Sequence, residues 1–291
     1  MELFTVLLSG LLLLISPVGI VVDQAAENAI RSRLAGAESL EVRVDNGPSF
    51  QLLQGRVDKV RIAGRGIFPV AGLRLERADL ETDPIDLAFN QLRQGKVVLD
   101  APLQGALHLV LSEADVNAFL RSPTIIKRLS QLKIGSLNQA QARERERYQI
   151  NNPVINFLGS DGTDATDENR LRISFDLEDL VQAGMLRIDA EVGLRVSEGD
   201  SPAERQGQRL ILVNPVLNVN GQPAPSRLVN ALLGDVNNRL SLQRLENRGL
   251  TARVINLAVQ PDALDVALWV RVDPSVTAPG GVAADETDAL K

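Results

Sequence analysis

The chain of 291 residues contains no cysteine and a single histidine. The first absence excludes disulfides, thiolate metal sites, cysteine nucleophiles and a lipid-modified N-terminal cysteine. The second excludes a histidine metal cluster and leaves His108 as the only partner for a Ser-His-Asp triad. No Gly-x-Ser-x-Gly elbow accompanies it. Aromatic residues make up only 3% against a hydrophobic content of 44%, so the core is aliphatic. The net charge of -6 argues against general nucleic-acid binding.

What is present begins with an apolar run. Leu3 to Val22 carries no charged residue and has about the 20 residues that span a bilayer. Residues 1–22 are read as a signal anchor or a signal peptide. No basic residue precedes the run, Glu2 is acidic, and no small-x-small cleavage site follows. Arg31 and Arg33 just beyond it favour, by charge alone, a C-terminus on the inner side. Ser16 and Pro17 are suited to open a helix, and Gly36 to end it.

Beyond Gly36 the period of the apolar positions changes from helix to strand. Leu40, Val42 and Val44 alternate with charged residues, as do Val60 and Ile62, then Leu73 and Leu75. Leu80 follows a phase slip at Arg77-Ala78. A strand beginning at Val97 and Leu99 resumes at Leu107, Leu109 and Leu111. This pattern predicts an antiparallel sheet with one apolar face. Ser112 and Asp115 make a short version of a capping box for a helix that buries Val116, Phe119 and Leu120. A second helix follows Pro123. The acidic stretch 161–169 is the expected boundary between an N-terminal sheet-helix half (23–160) and a C-terminal one (170–273). The second half repeats the design: strands at 171–175, 186–192 and 210–219, a helix at 225–247, and a hairpin around Pro261-Asp262. Residues 274–291 read as a disordered tail.

Few residues carry chemistry. His108 faces outward from its strand if Leu107 and Leu109 face inward. The 161–168 acidic cluster lacks EF-hand spacing. Gly64-Arg65-Gly66 is a turn and not a phosphate loop. Arg121 to Arg147 holds seven basic residues against two acidic ones, a local excess suited to anionic headgroups or to plain solvation. The apolar strand face fits either an ordinary core or a slot for a flexible acyl chain.

Several segments together resemble the LmeA-like family of bacterial phospholipid-binding proteins, with a look closest to cyanobacterial members. They are Asp23-x-x-Ala26-Glu27-x-x-Ile30, Val42-Arg43-Val44, Leu52-Leu53-Gln54-Gly55-Arg56-Val57-Asp58-Lys59-Val60, Leu73-Arg74-Leu75-Glu76 and Glu113-Ala114-Asp115-Val116-Asn117. The likeness runs over roughly 17–272. It implies an α+β, tubular lipid-binding fold, with strongly curved antiparallel sheets wrapped around amphipathic helices. It implies a non-enzymatic, membrane-associated protein on the extracytoplasmic (periplasmic) side, with a phospholipid or glycolipid partner and no cofactor.

On this reading the acyl chains meet Val42, Val44, Ile62, Leu73, Leu75, Leu99, Leu107, Leu109, Phe119 and Ile126. The headgroup meets Lys127, Arg128 and Lys133. Two rival readings stand beside it. One is a membrane-anchored assembly factor with a solid core and a protein partner. The other is an enzyme, for which the sequence offers only carboxylates such as Glu113 and Asp115.

Overall fold

The computed structural model describes residues 27–28, 30–47, 51, 54–92, 98–130, 148–159, 169–179, 184–197, 208–225, 229, 237, 242–246 and 249–274. Along the chain run β1 (Gly36–Asp45), β2 (Arg56–Val57), β3 (Lys59–Val70), β4 (Leu73–Thr82), β5 (Ile85–Asp86), α1 (Phe89–Leu92), β6 (Leu103–Ser112), α2 (Glu113–Leu120) and α3 (Pro123–Ser130). There follow β7 (Tyr148–Gly159), β8 (Asn169–Asp179), β9 (Gly184–Ser197), β10 (Arg209–Val219), β11 (Gln222–Pro223), α4 (Gln243–Glu246), β12 (Leu250–Val259) and β13 (Ala263–Val272).

The strands form two open antiparallel sheets and a small β2–β5 ribbon. The first sheet has the order β1-β3-β4-β6-β13-β12, the second β11-β10-β9-β8-β7. Alternation explains the first sheet directly. Val42, Ile62, Leu80, Leu107, Leu268 and Val254 stand opposite one another in turn, so one apolar row crosses all six strands. All six are buried in one cluster, joined by Ile30, Leu242 and Leu245 from outside the sheet. Burying such a side chain contributes about 1.5–3 kcal/mol. The hairpin expected around Pro261-Asp262 is β12–β13, and it completes this sheet by pairing with β6.

The phase slip at Arg77-Ala78 is real, but the pairing from Arg61↔Glu81 to Ile67↔Leu75 has no bulge there. The burial alternation of β3 slips too, at Gly66-Ile67. Gly66 in the facing strand takes φ 54°, a conformation glycine adopts without steric cost. On the long strand expected from Val97, Leu99 forms only an isolated bridge to Leu87, and β6 starts at Leu103.

The expected α+β fold, with sheets wrapped around amphipathic helices, is corrected. The described residues are mostly β-sheet, and the sheets are not closed. Among the described residues strands reach fourteen residues, whereas no helix exceeds eight. The reason lies in what the helices bury. Polar Asn117 is enclosed on α2 beside Phe119 and Leu120, so this helix is clipped to strands by hydrogen bonds and does not serve as an apolar spindle. β7 and β8, on either side of 161–168, pair with each other. Among the described residues no helix is long and apolar enough to cross a membrane. The apolar run at 1–22 and the tail from 275 onward lie outside them.

Candidate functional site

The structure distributes the ten apolar residues singled out above over three settings. Val42, Ile62, Leu75, Leu99, Leu107 and Leu109 lie in the main cluster, with Val44 packed against it. Leu73 and Phe119 belong to a second cluster with Leu120 and Ile125. Ile126 is exposed on α3. Leu75 and Leu107 keep only 1% of their surface, so protein already fills the space around them. Of the basic residues, Lys127 is exposed on α3. The side chain of Arg128 and the whole of Lys133 lie outside the described residues.

The Glu-Ala-Asp-x-Asn segment fastens the two sheets together. Ser112 caps α2, its Oγ accepting the Asp115 N–H at 3.0 Å. Asp115 also accepts from Arg74 of β4 at 2.9 Å, and Arg74 grips Glu38 of β1 through two further nitrogens. That pairing holds the Glu38 carboxyl below its ordinary pKa. One helical turn spaces Glu113 and Asn117 on a common face, and both reach β7. Glu113 accepts the Phe157 N–H at 2.7 Å and the Asn156 amide at 3.1 Å. Asn117 binds both the N–H and the C=O of Ile155. At the opposite flank Asn169 of β8 accepts the Val259 N–H and donates to the Leu257 C=O on β12.

The second sheet carries an apolar face not singled out from the sequence. Across its strands stand the rows Ile150–Leu177–Leu186, Phe175–Ile188–Val219 and Ile155–Ile173–Ala190–Leu217. Beyond them come Phe157–Leu171–Val192 and Leu194–Leu212. The other face is polar, with Arg172 paired to Glu191 and Arg187 to Asp176. Burial is uneven over the apolar face. On β9 Val192 keeps 4% of its surface, Ile188 8% and Leu194 9%, whereas Leu186 at the strand end keeps 36%. Ile150, Phe175, Leu177, Leu217 and Val219 are half-buried. The alternation was legible in the sequence. The exposure was not, because it depends on which face a neighbour covers.

A family model, LmeA-like phospholipid-binding, matches residues 15–268. The chain belongs to the LmeA-like family. No curated protein and no solved structure matches it. The match takes in both sheets up to the middle of β13, together with the α2 fastening and the half-open apolar face.

For an LmeA-like protein one large recess among the described residues is chemically the wrong place for an anionic headgroup. A trough of about 1320 Å³ lies over the polar face of the first sheet. Glu27, Glu41, Asp45, Asp58, Asp79 and Glu81 line it against Arg43, Arg61 and His108. Its charges are largely satisfied in place: Arg61 bridges Asp45 and Glu81, and Lys59 joins Glu81 at 2.5 Å. The Lys59 hydrogen bond, with help from Arg61, lowers the Glu81 pKa. His108 Nε2 sits 3.1 Å from both Asp265 oxygens. Val42, Val44, Ile62 and Leu107 border this trough, but strand alternation turns their side chains to the opposite, apolar face.

Proposed function

We propose that this LmeA-like chain is a binding protein, not an enzyme, and that it lays the acyl chains of a phospholipid along the apolar face of the second sheet. The observation that carries the reading is the apolar face left half-covered around its Leu186 end, where Ile150, Phe175, Leu177 and Val219 are half-buried and Leu186 keeps 36% of its surface. A closed core leaves no such set of partly open apolar side chains on one face, whereas a surface that receives a flexible chain does. Each methylene moved from water onto the face is worth about 0.8 kcal/mol.

Lys127 on α3, with Arg128 and Lys133 after it, supplies cations for the headgroup. The same helix packs against β7, the edge strand of this sheet. The apolar run at 1–22 attaches the protein to a membrane, and the family likeness favours its extracytoplasmic side. From there the chain passes lipid on or presents it.

The test is native mass spectrometry of the full chain, purified from host membranes in mild detergent, followed by photo-crosslinking with a diazirine-tagged phospholipid. A bound phospholipid mass with labels on Ile173, Phe175 or Leu186 supports the reading. Labels confined to Leu75, Leu107 and their neighbours move the site to the first sheet. An apo mass favours the assembly-factor reading, which the closed core around Leu107 also suits.

A further inference from the structure

We propose that Asn46 is a site of self-catalysed deamidation, with Asp58 as the base. Asn-Gly occurs twice in the chain, at 46–47 and 220–221. Such a pair is prone to lose its side-chain amide, because a glycine N–H has no side chain beside it to hinder attack on the preceding residue. The first pair follows β1 and lines the trough described above. There the groups that the reaction needs stand in place. Gly47 donates its N–H to Asp58 Oδ2 at 2.8 Å, within the reach of a general base. The Asp58 N–H donates to Asn46 Oδ1 at 3.0 Å, the oxygen that gains charge when Cγ is attacked. Neither space nor backbone calls for glycine at 47: a Cβ built there has nothing within 4 Å, and its φ is not left-handed.

The step balances without an outside reagent other than water. The Gly47 nitrogen forms a bond to Asn46 Cγ, and its proton passes to Asp58 Oδ2. The Cγ–Nδ2 bond breaks, and the amide leaves as ammonia with the proton that Asp58 returns. One water then opens the five-membered imide to aspartate or isoaspartate at 46. Nucleophile and amide belong to neighbouring residues, so no second molecule has to be positioned. The product sets a new carboxylate beside Asp45 and Asp58. Its isoaspartyl form adds one backbone atom just beyond Asp45↔Lys59, the last pair of β1 with β3.

The second pair is an internal control. Asn220 and Gly221, at φ 50° and 75°, make the turn between β10 and β11, which suits Asn-Gly by its backbone alone. Asn220 Oδ1 accepts the Arg187 N–H at 2.8 Å, so its amide is polarised as that of Asn46 is. Gly47 and Gly221 are both exposed, so water reaches both. Among the described residues no carboxylate accepts from the Gly221 N–H. The two pairs therefore differ in the base.

The experiment incubates the full chain at neutral pH, folded and in concentrated urea, and follows peptides that cover both pairs by mass spectrometry with isoaspartate detection. In the folded chain Asn46 is expected to convert about tenfold or more faster than Asn220. It is also expected to convert faster than it does itself in urea, where the two pairs draw level. Asp58→Asn keeps an acceptor for the Gly47 N–H but removes the base. It is expected to slow Asn46 by a similar factor and to leave Asn220 unchanged. Conversion of Asn46 that is no faster folded than in urea overturns the proposal, as does a rate that Asp58→Asn leaves unaltered. The urea comparison uses the wild type alone, so it decides even where the variant misfolds.

Discussion

Asn117 treats Ile155 as a neighbouring strand would: its side-chain oxygen accepts the Ile155 N–H at 2.9 Å and its amide nitrogen donates to the Ile155 C=O at 2.7 Å. Asn117 keeps 6% of its surface. The side chain thereby satisfies an edge-strand residue that water reaches poorly. Asn117→Ala leaves both backbone groups of Ile155 unpaired and is expected to cost about 2–6 kcal/mol, taking roughly 1–3 per orphaned group. Asn117→Asp keeps the acceptor but loses the donor and encloses a charge, so it is the worse of the two. Urea midpoints of the two variants check the order.

A contrast between the two sheets tests where lipid binds. Leu107→Ala removes a core side chain with 1% exposure and is expected to cost about 2–5 kcal/mol. Phe175→Ser removes a half-buried one and costs less stability, but it weakens phospholipid binding by more than Leu107→Ala does. Thermal melts paired with lipid titration separate these effects. Equal lipid affinity in both variants speaks against the second sheet.

Gly105 exists for a close approach. A Cβ built there meets the Glu81 carbonyl oxygen at 2.7 Å and the Thr82 Cα at 3.2 Å. Backbone cannot swing aside as a side chain can. Gly105→Ala is expected to cost about 1–3 kcal/mol through overpacking, measured by chemical denaturation.

Acid sensitivity follows from the paired carboxylates. Glu38, Glu81, Asp176 and Glu191 are all held below their ordinary pKa, chiefly by hydrogen bonds to Arg74, Lys59, Asn152 and Arg172 respectively. A depressed folded-state pKa means that the unfolded chain takes up the proton first. Stability from these groups is therefore complete above the ordinary carboxylate range, about pH 4–4.5. It is lost as pH falls through their lower folded values. Urea midpoints are expected to be flat from neutral pH to about 5 and to drop below it. Arg187→Gln, which takes a cation from Asp176, is expected to make the acid fall shallower.

The strands were legible because alternation is local. Val42, Ile62, Leu107 and Leu268 each announce a buried face within five residues of chain. The Ser112 cap was legible for the same reason: its partner is three residues away. The roles of Glu113 and Asn117 were not, since their partners on β7 lie 38 to 44 residues on and are, apart from the Asn156 amide, backbone atoms, which carry no sequence signature. The family likeness was carried in part by this segment, whose residues fasten the two sheets together. The expectation of curved sheets around helices came from the family likeness; the helical periods at 17–36 and 225–247 fall largely outside the described residues, and the described helices are short. The exposed end of the second sheet was illegible because Leu186 has the same pattern as buried Leu107.

The position of β13 between β6 and β12 also governs when the molecule is able to fold. Ser112 pairs with Ala263 and Leu103 with Val272, so the first sheet has no completed interior until the last of these residues has been synthesised. A nascent chain must carry the raw edge of β6 across the whole intervening length, and closing so long a loop is slow. Completion of the first sheet therefore waits on β13, and the four strands β1, β3, β4 and β6 precede their last partners by the whole length of the second sheet.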